Sequence, residues 1–328
     1  MKLHPIWNDY PQLQDELQET LALMEKSIQL KDKAVEKAIL EMIHSGGKLL
    51  RPAYQLLFSR FGPKQDQQKA VALAASIELL HTATLIHDDI VDEASLRRGL
   101  PTIHASFDNS TAVYAGDYLF VICFKLMSSY ASSMRSLQTN AKSMEKILSG
   151  ELGQMDDRYN LKETVEEYIE NVAGKTAELF SLSCAIGTFE SGSSQAFSKK
   201  AATIGLNIGI SFQIVDDILD YSRSTAEIGK PVLADMKQGV YSLPLIYALQ
   251  KDCRQLIPLL AKKEQMTTAD TQLVYQKVHQ LGGVKQAQLK ANEYTQLALK
   301  AIQKLPDDKQ ATRQTLYQLT QDILKRNN

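Results

Sequence analysis

Six aspartates fall into two groups of identical spacing, Asp88-Asp89-Ile90-Val91-Asp92 and Asp216-Asp217-Ile218-Leu219-Asp220. On a helix, positions i and i+4 lie about 40° apart, so Asp88 and Asp92 share a face, as do Asp216 and Asp220. Three carboxylates in little more than one turn repel one another unless a cation sits between them. A ligand set made only of carboxylate oxygens suits Mg²⁺, which takes one or two protein carboxylates and completes its octahedron with water and substrate phosphate. The competing reading is a pair of solvated acidic faces. With 20 Asp in 328 residues, chance supplies such a match about 0.07 times and two of them about 0.003 times. The flanks oppose solvation too. Leu80, Leu85, Ile86 and Ile90 surround the first group and Phe212, Ile214, Val215 and Ile218 the second, which places the acids beside an apolar-walled cleft.

Cations stand close by in the sequence. Gly46-Gly47-Lys48-Leu49-Leu50-Arg51-Pro52 lies upstream and Arg97-Arg98-Gly99 five residues beyond Asp92. Glycines let the backbone turn tightly and approach a ligand. Arginine supplies a planar fork for phosphate oxygens and lysine a point charge. Beside two groups of Mg²⁺ type, a diphosphate site is the simpler account of these cations. His81 lies seven residues before Asp88, on nearly the same face and about 10 Å along the axis. His87-Asp88 also suggests a metal-dependent phosphohydrolase. That chemistry needs further histidine ligands, only His44 and His104 are near, and the second acidic group would go unexplained.

The elements that must position these residues read as helices. Nine prolines leave Thr102 to Lys230 uninterrupted, and no segment there sustains a strand-like alternation. Apolar residues recur at three and four, as at Ile77, Leu80 and Thr84, and at Ile204, Ile208, Phe212, Val215 and Leu219. The pattern predicts helices near 8–30, 32–45, 50–61, 66–92, 109–132, 137–155, 163–187, 194–222, 242–250, 270–280, 284–303 and 308–325. No linker divides the chain, so residues 1–328 read as a single all-α domain, a large helical bundle around a central cavity with inner helices apolar nearly all round. Its two acidic groups are expected to face each other across that cavity.

Composition excludes several classes. With 37 Lys+Arg against 38 Asp+Glu and 44% hydrophobic residues, the chain is not a general polyanion binder, and no nucleic acid is expected. Cys123, Cys184 and Cys253 offer neither a disulfide framework nor zinc spacing. The start, Met1-Lys2-Leu3-His4-Pro5, leads into no apolar signal region. The longest apolar run, Tyr118 to Phe124, has seven residues where a membrane span needs about twenty. The expectation is a cytoplasmic protein without a transmembrane segment.

The segment from Glu78 through His81 and His87 to Asp92, followed by Arg97-Arg98-Gly99, resembles the first aspartate-rich region of the trans-polyprenyl diphosphate synthases. Further motifs occur in that family's order: Gly46 to Pro52, Gly116-Asp117, Gly150-Glu151 with Gln154, Lys175-Thr176, Phe212-Gln213, Gly229-Lys230-Pro231 and Leu243-Pro244-Leu245. The resemblance implies a prenyltransferase that joins isopentenyl diphosphate to an allylic diphosphate and releases pyrophosphate. Lys48, Arg51, His81 and Arg98 would hold isopentenyl diphosphate. Asp88, Asp92, Asp216 and Asp220 would ligate Mg²⁺, more than one ion per site, with Asp89 and Asp217 completing the catalytic groups. Arg97, Lys175, Thr176, Gln213 and Lys230 would serve the allylic substrate, Lys175 also in catalysis. A homodimer is implied as well. Val240 departs from the pattern, for many relatives carry lysine there, and that role is not transferred.

Ala83 and Thr84 stand one turn before Asp88, where short-chain relatives carry aromatic side chains that close the pocket. Each isoprene unit adds about 5 Å, near the pitch of one helical turn. An open floor therefore implies an all-trans product beyond fifteen carbons, in the range of about twenty to forty, with Tyr118, Phe120 and Phe124 as the next candidates to stop the chain. Two alternatives are a class I terpene cyclase, which has no use for a second diphosphate site, and a subunit active only with a heteromeric partner.

Overall fold

The computed structural model describes residues 3–222, 234–307 and 310–325. Among them the only strands are Leu96–Arg97 (β1) and Leu100–Pro101 (β2), which form a two-stranded antiparallel hairpin. The remainder is helices and their connections, as the all-α expectation requires. The helices are α1 (Pro11–Ser27), α2 (Lys33–His44), α3 (Leu50–Ser59), α4 (Gln67–Val91), α5 (Ile103–Ser106), α6 (Asn109–Tyr130), α7 (Met134–Asp156), α8 (Val165–Val172), α9 (Glu178–Glu190), α10 (Gln195–Asp220), α11 (Ala234–Lys237), α12 (Leu243–Asp252), α13 (Ile257–Leu260), α14 (Thr268–Gln280), α15 (Gly283–Gln303) and α16 (Thr312–Leu324).

The chain forms two compact units. One is built chiefly from Met1–Ala141 with Leu182–Ala202, the other from Lys142–Ser181, Thr203–Asp307 and Arg313–Asn328. In the first unit α4 is the central helix. Asp66 caps its start, its side chain accepting a hydrogen bond from the Lys69 amide at 3.0 Å, and no breaker intervenes before Asp92. Ala70, Ala72, Ala74, Leu73, Ile77 and Leu80 are all buried, against α1, α3 and α6. Burial on most sides explains why apolar residues fill nearly the whole circumference.

In the second unit the C-terminal half of α10 meets α8, α12, α14 and α15 over a core that includes Tyr168, Ile214, Ile218, Tyr221, Ile246 and Val274. Thr164 starts α8 with a capping box, its hydroxyl accepting from the Glu167 amide while the Glu167 carboxylate accepts from the Thr164 amide. Between α8 and α9 the turn Ala173–Ala177 is π-helical. Gly209 lets α10 approach it, since a Cβ there would stand 2.5 Å from the Ala177 Cα. Cys123, Cys184 and Cys253 are all free thiols.

Helices α4, α6 and α10 are each long and apolar enough, by length and composition, to cross a membrane. Counting uninterrupted apolar residues missed them, because Ser, Thr and Gly break the runs without making the helices polar. Of the apolar window in each, 78% is buried within the protein for α4, 50% for α10 and 39% for α6. The contrast accounts for the exposed Tyr114, Val121 and Phe124 on α6.

Candidate active site

The first acidic group ends α4. Asp88 and Asp92 lie on one face, with Asp92 the exposed C-cap residue, whose amide donates to the Asp88 carbonyl at 2.8 Å. A helix C-terminus carries partial negative charge, so two carboxylates here strengthen the case for a cation. Asp89 points elsewhere. It is 2% exposed, and its Oδ1 accepts from both Nε and Nη2 of Arg97 at 2.7 Å. Expected to serve the allylic substrate and catalysis respectively, Arg97 and Asp89 are partners in a buried brace.

The β1–β2 hairpin has two central residues, Arg98 at φ +51° and Gly99 at φ +81°. Two positive φ values in a two-residue loop mark a type I′ turn, and glycine supplies one of them without steric cost. The turn delivers the Arg98 guanidinium to the loop before α3, where a Cβ on Gly47 would stand 3.1 Å from Nη1. That loop is held from the other side: the Trp7 indole donates to the Lys48 carbonyl at 2.9 Å. Leu49 enters α3 in the left-handed region, φ +50°, which places Arg51 in the helix's first turn. His81 on α4 is driven well below the usual imidazole range by burial, reinforced by the charges of Arg51, Arg98 and Arg97. It is therefore neutral, with one N–H to donate. Lys48, Arg51, His81 and Arg98 all belong to the first unit.

The residues expected to set product length separate. Ala83 is fully buried, and the Thr84 hydroxyl donates to the His81 carbonyl at 2.8 Å. The Tyr118 hydroxyl both accepts from the Gln29 amide at 2.9 Å and donates to its carbonyl at 3.0 Å. Phe124 is 45% exposed. Phe120 lies 5.4 Å from the His87 ring, centre to centre. His87 is seated against α6, its Nε2 3.3 Å from the Val113 carbonyl and 3.4 Å from an Asp117 carboxylate oxygen. A Cβ on Gly116 would stand 2.4 Å from that nitrogen, so only glycine leaves His87 its place.

The second acidic group ends α10 in the same way, Asp220 being the last helical residue. Its middle member is again turned into the protein. Asp217 accepts from the Tyr168 hydroxyl at 2.6 Å, the Gln213 amide nitrogen at 3.0 Å and the Leu243 backbone amide at 3.3 Å. Burial nevertheless raises its carboxyl to about 7, against the pull of those three donors. Gln213 is oriented by this arrangement, because its Oε1 accepts from Thr176 at 2.9 Å. Thr176 and Lys175 both occupy the π-helical turn. Lys175 Nζ meets the Glu151 carboxylate at 2.7 Å and donates to the Gln154 Oε1 at 2.8 Å. A Cβ on Gly150 would stand 2.9 Å from the Lys175 amide nitrogen. Lys230 lies outside the described residues. Gly239 turns at φ +86° before Val240.

Among the described residues, no three His, Cys, Asp or Glu side chains are grouped so as to hold a metal ion alone. Mg²⁺ uses few protein carboxylates and takes its other oxygens from water and phosphate. Asp89 and Asp217 are held by the hydrogen bonds above, while Asp88 with Asp92, and Asp216 with Asp220, each share a helix face.

The polyprenyl synthetase family model matches residues 32–279 of the chain. The chain belongs to this family. It is therefore a prenyltransferase. It is 33% identical over 297 residues to heptaprenyl diphosphate synthase component 2 of Geobacillus stearothermophilus, covering 90% of this chain and 92% of that one. It is 34% identical to geranylgeranyl diphosphate synthase of Saccharolobus solfataricus, with 90% and 91% covered. The solved structure of geranylgeranyl pyrophosphate synthase from Lactobacillus brevis matches at a TM-score of 0.94 and 40% identity, over 98% of this chain and 99% of that one.

Some residues of this prenyltransferase escaped sequence reasoning. Glu151 and Gln154, one turn apart on α7, were visible as a motif but not as the pair that holds Lys175. Tyr168 carries no local signal, since its partner Asp217 is 49 residues away. Glu78 could have been found from its position one turn before His81, on the same face of α4.

Proposed function

We propose that the protein condenses isopentenyl diphosphate with an allylic diphosphate and extends the chain beyond fifteen carbons, to about twenty to forty. The arrangement that carries this reading is the pair of acidic helix ends, each with its middle carboxylate locked and its outer pair on one face. In the reaction the C1–O bond of the allylic diphosphate breaks and pyrophosphate departs. The double bond of isopentenyl diphosphate forms the new C–C bond, and a proton is lost to the departing pyrophosphate. Mg²⁺ held by Asp88, Asp92, Asp216 and Asp220 would neutralise the departing charge. Lys175, steadied by Glu151 and Gln154, would add a cation at the same oxygens, and Lys230 another. Thr176 and Gln213 would offer their oxygens to the allylic cation.

Lys48, Arg51 and Arg98 would bind the second diphosphate without metal, while neutral His81 donates a hydrogen bond. Ala83 and Thr84 leave room beneath the allylic carbon, and Phe120 is the side chain suited to stop the tail. The protein would act as a cytoplasmic homodimer. The test is to incubate the purified chain with Mg²⁺, isopentenyl diphosphate and an allylic primer, and to chromatograph the dephosphorylated products. Pyrophosphate release with products longer than fifteen carbons is expected, whereas a product ending at fifteen would refute the open floor. One relative is named as a component of a synthase, which favours a second reading. Silence from the chain alone, cured by a partner subunit, would establish that reading instead.

A further inference from the structure

Glu78, His81, Asp88 and the C-cap residue Asp92 share one face of α4 at helical spacing. The last three have roles in the proposed condensation, and Glu78 has none. It is 8% exposed, and it shares with Arg98 and Gly47 the lining of a small, otherwise largely apolar cavity. Burial pushes its carboxyl up, while the charges of Arg51 and Arg98 pull it down. Glu78 in turn opposes the effect of burial on Arg98. An acid thus stands beside Arg98 and within the field of Arg51, two of the cations proposed to hold isopentenyl diphosphate.

Such a group works against tight binding. In an effective dielectric of about 20, an anion about 7 Å away weakens binding of another by about fiftyfold per unit charge. Screening reduces this, leaving about fivefold as the smallest effect expected. Chain elongation gives the weakening a use. After each condensation the lengthened product carries the diphosphate that arrived with isopentenyl diphosphate. The next cycle requires that same diphosphate to become the leaving group and its first pocket to be empty. A pocket of arginines and lysine alone would retain it.

Resting on the proposed condensation, we propose that Glu78 is a fixed counter-charge that limits the pocket's hold on diphosphate, so that each lengthened product vacates it and re-enters as the next allylic substrate. Glu78 touches no reacting atom in this role. It acts through the charge balance around Arg51 and Arg98.

The experiment measures metal-free binding of isopentenyl diphosphate by calorimetry to the full chain and to Glu78→Gln, Glu78→Ala and Glu78→Asp. Glutamine keeps the shape of the side chain, the alanine variant provides a second way to remove the charge, and a thermal melt establishes that each variant is folded. Gln and Ala should each bind at least about fivefold tighter than wild type, with Asp close to wild type. With excess isopentenyl diphosphate and limiting primer, the two tight-binding variants should also accumulate shorter products. Unchanged or weaker binding in folded Gln and Ala variants would overturn the counter-charge, and tighter binding with an unaltered product profile would overturn its part in elongation. Absence of metal-free binding by wild type would instead refute the pocket assignment itself.

Discussion

Asp89→Ala should damage stability far more than chemistry, and Asp88→Ala the reverse. The Asp89 side chain is 4% exposed and its partner Arg97 29% exposed, with two guanidinium nitrogens 2.7 Å from one carboxylate oxygen. Removing one member of a buried ion pair costs about 3–5 kcal/mol because the other charge is left uncompensated. Water reaches part of Arg97, which lowers the figure to about 2–3 kcal/mol. At about 2.1 cal/mol/K of unfolding entropy per residue, the 328 residues convert this into a fall in Tm of about 3–4 °C.

At saturating substrate Asp89→Ala should keep kcat within about tenfold, since no reacting group is removed. Asp88→Ala removes a proposed metal ligand and should lower kcat by about a hundredfold or more. The assay pairs a thermal melt with pyrophosphate release at saturating Mg²⁺ for both variants. A melt within one degree of wild type for Asp89→Ala, or a kcat loss equal to that of Asp88→Ala, would refute the division of labour.

Phe120→Ala should lengthen the product, whereas Tyr118→Phe should leave it unchanged, because the Tyr118 hydroxyl is tied to the Gln29 backbone; a longer product from Tyr118→Phe would contradict this. Burial raises the Glu163 carboxyl from 4.5 to about 7, so folding favours its protonated form and wild type should lose stability as pH rises between those values. Glu163→Gln should therefore gain Tm relative to wild type across pH 4.5–7 and hold the gain above it; a pH-independent difference would count against the shift. Residues 1–328 should unfold as one domain, because the boundaries at 141/142, 181/182 and 202/203 fall inside α7, α9 and α10. Two resolved calorimetric transitions would disprove it.

Helix placement was largely legible. The expected 66–92, 109–132 and 194–222 correspond to Gln67–Val91, Asn109–Tyr130 and Gln195–Asp220, because apolar residues keep step with the helical turn and capping residues such as Asp66 and Asp108 mark the starts. The stretch 163–187 read as one helix. In the protein a π-helical turn interrupts it at Ala173–Ala177, since a widened turn shifts the phase of the next helix without changing residue types. That turn carries Lys175 and Thr176, in keeping with the tendency of π-turns to occur at functional sites. The hairpin around Arg98 was also invisible, because its strands are two residues each and too short to show an alternation.

The repeated aspartate spacing encodes two functions at once, and only one of them can be had from counting turns. Positions i and i+4 share a face, which is why the outer carboxylates suit a cation. Position i+1 lies about 100° round the helix, and in both groups that direction points into the protein. The partners found there differ. Asp89 meets a guanidinium supplied by a tight hairpin. Asp217 meets a phenol, a carboxamide and a backbone amide, all uncharged. Neutral donors offset burial less than a cation does, so Asp217 remains near 7 while holding Gln213 and, through it, Thr176. In the first group the middle aspartate anchors a cation-bearing hairpin; in the second it orients Gln213 and Thr176, the side chains proposed to serve the allylic substrate.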